Sequence, residues 1–125
     1  MSIQILISAG ELVDRITILR IKRARISDPA KTRRVQEELN RLEPLLADLP
    51  DTPGLDALTG RLHALNAELW DIEDAKRRCE AEQRFDDAFV DLARRVYLRN
   101  DDRAALKRAI DVLTGSEPGE VKSHG

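Results

Sequence analysis

Asn66, Trp70 and Glu73 interrupt an otherwise leucine-rich helical stretch, and these side chains, with a few arginines, are where the sequence could do chemistry. At about 100° per residue, Asn66 and Glu73 fall inside the arc covered by Leu62, Leu69 and Ile72, with Trp70 at its edge. Arg23 falls within the stripe of Leu12, Leu19 and Ile26, Arg15 lies beside it, and Arg99 holds a comparable place in a later helix. A carboxylate facing the core of a bundle needs a partner or a proton, so Glu73 with Arg15 or Arg23 is the expected pair. Two readings stay open. In one, these groups form a closed polar network that sets helix register. In the other, Trp70 floors a small pocket lined by Asn66, Glu73 and one or two arginines, with Tyr97 at its border, and the pocket takes an anionic or sugar-like ligand.

Other chemistries find less support. Carboxylates three apart on a helix can hold a divalent metal, and five such pairs occur: Glu11/Asp14, Asp48/Asp51, Glu68/Asp71, Asp71/Asp74 and Glu117/Glu120. With 23 acids in 125 residues, chance placement gives roughly four, so no metal site is expected. The single cysteine, Cys79, sits in an apolar stripe and reads as a buried reduced thiol. His63 falls at the edge of its helix's stripe and reads as a boundary side chain. No Cys/His or Ser/His pairing and no glycine-rich phosphate loop can be assembled, so no catalytic residue and no cofactor is expected.

The elements that position these residues are all helical. Ser8-Ala-Gly-Glu11 has the pattern of a capping box and starts a first helix running to about Ile26. Its core stripe is Leu12, Ile16, Leu19 and Ile26, while Ile18 and Ile21 point the other way. Apolar residues on two faces imply a central helix or one that meets a partner. Asp28-Pro29 starts a second helix with the stripe Val35, Leu39, Leu42, Leu46 and Leu49, and Pro44 predicts a kink or break near Glu43. Pro50 to Gly54 is a turn. The third helix, from about Leu55 to about Ala81, should be the longest. A fourth carries Phe85, Phe89, Leu92 and Val96. Asn100-Asp101-Asp102 predicts a break before a fifth, with Leu106, Ile110 and Leu113, closed by Gly115. The expectation is an all-α antiparallel bundle of four to five helices over residues 1–115, with a flexible tail at 116–125. Ile3, Ile5 and Ile7 alternate with Gln4 and Leu6 in a short extended segment that lies in a groove or pairs with another copy.

Composition agrees: 42% hydrophobic, 35% charged and only 3% aromatic residues suit helical bundles. A net charge of -2 exerts no bulk pull on nucleic acid or anionic membrane. Its distribution is uneven, with eight Lys/Arg against two Asp in residues 14–34 and two Arg against ten Asp/Glu in residues 35–75. These blocks can neutralise each other if the first and third helices pack together. No segment approaches the ~20 apolar residues that span a bilayer, and the opening lacks the basic leader of a signal peptide. The expected compartment is the cytoplasm, without nucleic-acid or membrane partners.

A resemblance adds to this. Gly10-Glu-Leu-Val-Asp-Arg-Ile-Thr-Ile-Leu19, Leu69-Trp-Asp-Ile-Glu-Asp74, Leu92-Ala-Arg-Arg-Val-Tyr97, Asn100-Asp101, Arg103-Ala104 and Lys107-Arg108, with a closing Lys122-Ser123, together resemble a family of small bacterial helical proteins with no established activity. The resemblance implies the company of glycosyltransferase and tetratricopeptide-type proteins of surface-polysaccharide synthesis, and hence an adaptor or accessory protein with a protein partner. The second apolar face of the first helix, independently, suggests an interaction module that forms a homodimer there. Glu11 to Ile26 also resembles the first helix of the small helical chorismate mutases. Those enzymes set cationic side chains from several helices around one dianion. The alternative class is a small all-α enzyme or binding domain that uses the interhelical polar cluster on an anionic metabolite or nucleotide sugar, with mutase-like chemistry or the pyrophosphohydrolase-like chemistry of paired helical carboxylates.

Overall fold

The computed structural model describes residues 1–116, which form four α-helices and one 3₁₀ segment: α1 (Ala9–Arg25), α2 (Pro29–Leu42), the 3₁₀ turn Glu43–Asp48, α3 (Leu55–Ala81) and α4 (Asp87–Thr114). No strand occurs among the described residues. The part of the expected tail from residue 117 onward lies outside them.

Most helix starts lie where local chemistry places them. The Ser8 hydroxyl accepts from the Glu11 amide at 3.2 Å, but the Glu11 carboxylate does not close the capping box; it turns outward to Lys107 and Arg15. Asp28 accepts from the Ala30 amide and Pro29 occupies the first turn of α2. Asp86 accepts from the Phe89 amide at the start of α4. Gly54 and Gly115 adopt left-handed backbone at φ 95° and 67°, at the entry to α3 and the exit of α4. Pro44 acts as expected on the backbone: α2 ends at Leu42 and the chain tightens into the 3₁₀ turn.

The expected fifth helix does not exist as a separate element. α4 runs unbroken for 28 residues through Asn100-Asp101-Asp102. Capping residues mark a boundary only where a new helix gains by starting. Here neither glycine nor proline lies between Asp87 and Thr114, and extending a formed helix is easier than nucleating another. Tertiary and local ion pairs also hold this stretch, because Arg99 reaches Glu68 and Asp102, and Arg103 reaches Asp14.

α1 is the central helix. Leu12, Ile16 and Leu19 join Val35 and Leu39 of α2 in one apolar cluster, and Ala9 and Val13 join Leu62, Leu65, Leu106 and Ile110 of α3 and α4 in a second. Leu46, carried by the 3₁₀ turn, packs against both. The second apolar face of α1 is covered only in part: Ile21 is 4% exposed, and Ile18 is half-buried. α4 runs antiparallel to α1, since Gly10 meets Lys107 and Asp111 while Asp14 meets Arg103. The approach at Gly10 is so close that a Cβ there would stand 2.3 Å from the Lys107 carbonyl oxygen. No helix among the described residues is long and apolar enough to cross a membrane.

Candidate functional site

Beneath the junction of α1, α3 and α4 lies a buried polar cluster centred on Asp14, which is 1% exposed. Arg103 of α4 donates to it through two nitrogens, Nε to Oδ1 at 3.0 Å and a terminal nitrogen to Oδ2 at 2.5 Å. Asn66 of α3 donates its side-chain amide to Asp14 Oδ1 at 2.9 Å and to the Thr17 hydroxyl at 3.0 Å, and Thr17 donates to the Asp14 backbone carbonyl at 2.8 Å. Lys107 lies 3.7 Å from Asp14 and 2.6 Å from Glu11. No buried side-chain nitrogen or oxygen among the described residues is left without a partner.

Burial by itself would raise the Asp14 pKa, but hydrogen bonds from Arg103 and Asn66 and the charges of Arg103 and Lys107 outweigh it and hold the carboxyl below its ordinary value. Glu11 is lowered too, first by its hydrogen bond from Lys107, with burial opposing. The hydrogen bond to Asp14 raises Arg103 against its own desolvation. Asp14 is thus an ionised, fully engaged carboxylate. No group of three metal-ligating side chains occurs among the described residues.

A surface groove of about 280 Å³ opens above this cluster, with Ile18 and Lys22 of α1 on one wall and α3 and α4 on the others. Leu69 and the half-buried Trp70 supply its apolar surface; Asn66, Glu73, Asp74, Arg77, Asn100 and Arg103 supply its polar one. Asn66 and Arg103 therefore belong to both cluster and groove. Each has a group beyond the Asp14 network: the Asn66 Oδ1 acceptor and the remaining terminal nitrogen of Arg103.

The structure brings together three of the residues singled out from sequence, Asn66, Trp70 and Glu73, and disperses the rest. Glu73 does not pair with Arg15 or Arg23. It sits 3.7 Å from Lys76, with its side chain 44% exposed, on the wall of the open groove that Ile18 and Lys22 of α1 also line. Arg15 pairs with Glu11, and Arg23 donates to Gln36 of α2. Arg99 binds Glu68 and Asp102, which raises its pKa, with the Asp102 hydrogen bond the larger cause. Tyr97 is exposed on α4 and does not line the groove. Of the two charge blocks, one contact joins α1 to α3, Arg25 with Asp71 at 2.5 Å.

Sequence reasoning missed Asp14 and Arg103. A signal was present for both. At about 100° per residue, Asp14 falls between Ile18 and Ile21 on the second apolar face of α1, and Arg103 falls on the Leu106/Ile110 stripe. The same signal also fell on Glu73 and Arg23, which form no buried pair, so it marks candidates and does not single out Asp14 and Arg103.

A family model described as a family of unknown function (DUF6165) matches residues 3–123. The chain belongs to the DUF6165 family. No curated protein and no solved structure matches it. The DUF6165 match spans the opening Ile3–Ile7 segment, all four helices and the motifs from which the resemblance was read, and it carries no activity with it.

Proposed function

We propose that this DUF6165 chain is a binding domain whose groove receives a small hydroxylated ligand bearing an acidic group. The observation that carries this reading is the pair Lys22 and Arg77. Both line the groove beside Trp70, and neither has a carboxylate within 4.0 Å among the described residues. Most other cations near the α1, α3 and α4 junction are already paired. Two free cations flanking an indole suit an acidic group held by charge and a ring laid on an aromatic face. Asn66 Oδ1, Asn100 and Glu73 supply acceptors for hydroxyls. A sugar phosphate, a nucleotide sugar or a hydroxylated dicarboxylic acid has these features.

Trp70 is the chain's one tryptophan, so its fluorescence reports on the groove. Titration with a panel of sugar phosphates, nucleotide sugars and prephenate-like acids should give a saturable change in the wild type, weakened at least tenfold in Lys22→Ala and Arg77→Ala. A flat response to the whole panel, or one that both variants retain, overturns the reading.

A second reading is an adaptor or accessory role in a surface-polysaccharide or glycosyltransferase setting. It is favoured by Val90, Tyr97 and Leu98, large apolar side chains left exposed on α4. Its signature is a defined protein partner bound by the wild type and released by Tyr97→Lys without loss of helical circular dichroism.

A further inference from the structure

Residues 1–10 carry no charged side chain and form the longest such run in a chain that is 35% charged. Within this run Ile3, Ile5 and Ile7 alternate, a pattern that favours a strand. Residues 1–7 belong to no helix and make no backbone hydrogen bond to any other described residue. Ile3 and Ile5 are 77% and 67% exposed, whereas Ile7 packs against the cluster of Leu12, Ile16 and Leu39. The segment enters α1 through Ser8 in an extended backbone conformation, with ψ 164°. It is a strand-favouring edge with its donors and acceptors unpaired, and none of the described residues forms a strand to receive it.

We propose that Ile3–Ile7 pairs antiparallel with the same segment of a second copy of the chain, about a two-fold axis at Ile5. The proposal does not depend on the groove reading. Strand addition draws its affinity from main-chain hydrogen bonds, and a two-fold pairing sets each residue opposite its counterpart's mirror position. Ile3 would oppose Ile7 of the partner subunit, Ile5 would oppose itself, and Gln4 would oppose Leu6 of the partner subunit. The absence of charge matters here, because a charged run paired with itself sets like charges side by side. All three isoleucines of each copy then share one face of the ribbon. Ile7 already joins that face to the core, and an apolar groove lined by Leu6, Leu12, Leu45 and Leu49 runs alongside it. A two-stranded ribbon alone is marginal; this one continues two cores.

Light scattering on the full chain should give twice its 14.1 kDa mass, and Ile3→Lys/Ile5→Lys should give the single-chain mass with unchanged helical circular dichroism. The register is tested by cysteines. Residues directly opposed in an antiparallel pair stand about 4.5–5.5 Å apart at Cα, within disulfide range. Ile5→Cys should therefore crosslink between chains under mild oxidation about tenfold faster than Gln4→Cys, and the wild type, with only the buried Cys79, should not crosslink. A wild type of single-chain mass at its highest soluble concentration overturns the proposal. So does a dimer that survives the double lysine variant, equal crosslinking at positions 4 and 5, or a different protein captured by this segment while the chain itself stays monomeric.

Discussion

Asp14 and Arg103, 89 positions apart in sequence, form a two-point ion pair that ties the central helix α1 to α4 where α3 also meets them. Asp14 is almost wholly buried and Arg103 keeps 30% of its side chain exposed, so the pair sits at the floor of the groove with one member reaching into it. Stability and binding meet at this contact, and several expectations rest on it.

Removing one member strands the other. Asp14→Leu leaves Arg103 and Asn66 facing an apolar side chain, and should cost on the order of 3 kcal/mol in chemical denaturation, the exposure of Arg103 keeping it at the low end for buried pairs. Asp14→Leu/Arg103→Met removes both charges and should recover most of that loss. A double variant as unstable as the sum of the singles would show that the two side chains do not act as a pair.

The same carboxylate sets a pH dependence. The Asp14 pKa is lowered in the folded state, so its contribution is complete above the ordinary carboxylate range near ~4 and is lost as pH falls through the folded-state value. Glu11 acts in the same direction. Thermal melts of the wild type should lose stability progressively from about pH 5 towards about pH 2, and Asp14→Asn, already weaker at neutral pH, should decline less steeply over that window. Parallel melting profiles for the two proteins would assign the acid sensitivity to other groups.

Gly10 lets α1 and α4 pack closely. Gly10→Ala would set a methyl 2.3 Å from a backbone oxygen of Lys107 and 2.8 Å from the Asp111 carboxylate that accepts the Gly10 amide. Backbone cannot yield as a side chain does, so the helices must separate. The expected cost is about 1–3 kcal/mol, read as a lower denaturation midpoint, although alanine is the better helix former.

Glu73 separates binding from folding. It is nearly half exposed with a single weak lysine contact, so Glu73→Gln should change stability by less than about 0.5 kcal/mol. The same substitution should alter the Trp70 fluorescence response to hydroxylated ligands. A large loss of stability would return Glu73 to a structural role.

The sequence by itself determined that the chain is helical and where most of its helices begin, because capping, proline and glycine effects act within a few residues and apolar period reports one helix at a time. Ser8, Asp28, Asp86 and Gly115 cap where their chemistry says they should, and Pro44 ends α2. It also marked Asn66, Trp70 and Glu73 as one face of α3. Only the tertiary structure decided which faces meet. A helical wheel places Glu73 with the leucines but does not reveal that α1, α3 and α4 leave an open groove there, with Glu73 on its wall. It shows two apolar faces on α1 but does not say that the chain buries Ile21 on the second and leaves Ile18 at the edge of a groove. The break expected at Asn100-Asp101-Asp102 was likewise a local preference, overruled by Glu68 and Asp14 reaching α4 from other helices. The pairing of Asp14 with Arg103 depends on three helices packing together, and no period within one helix encodes a partner on another.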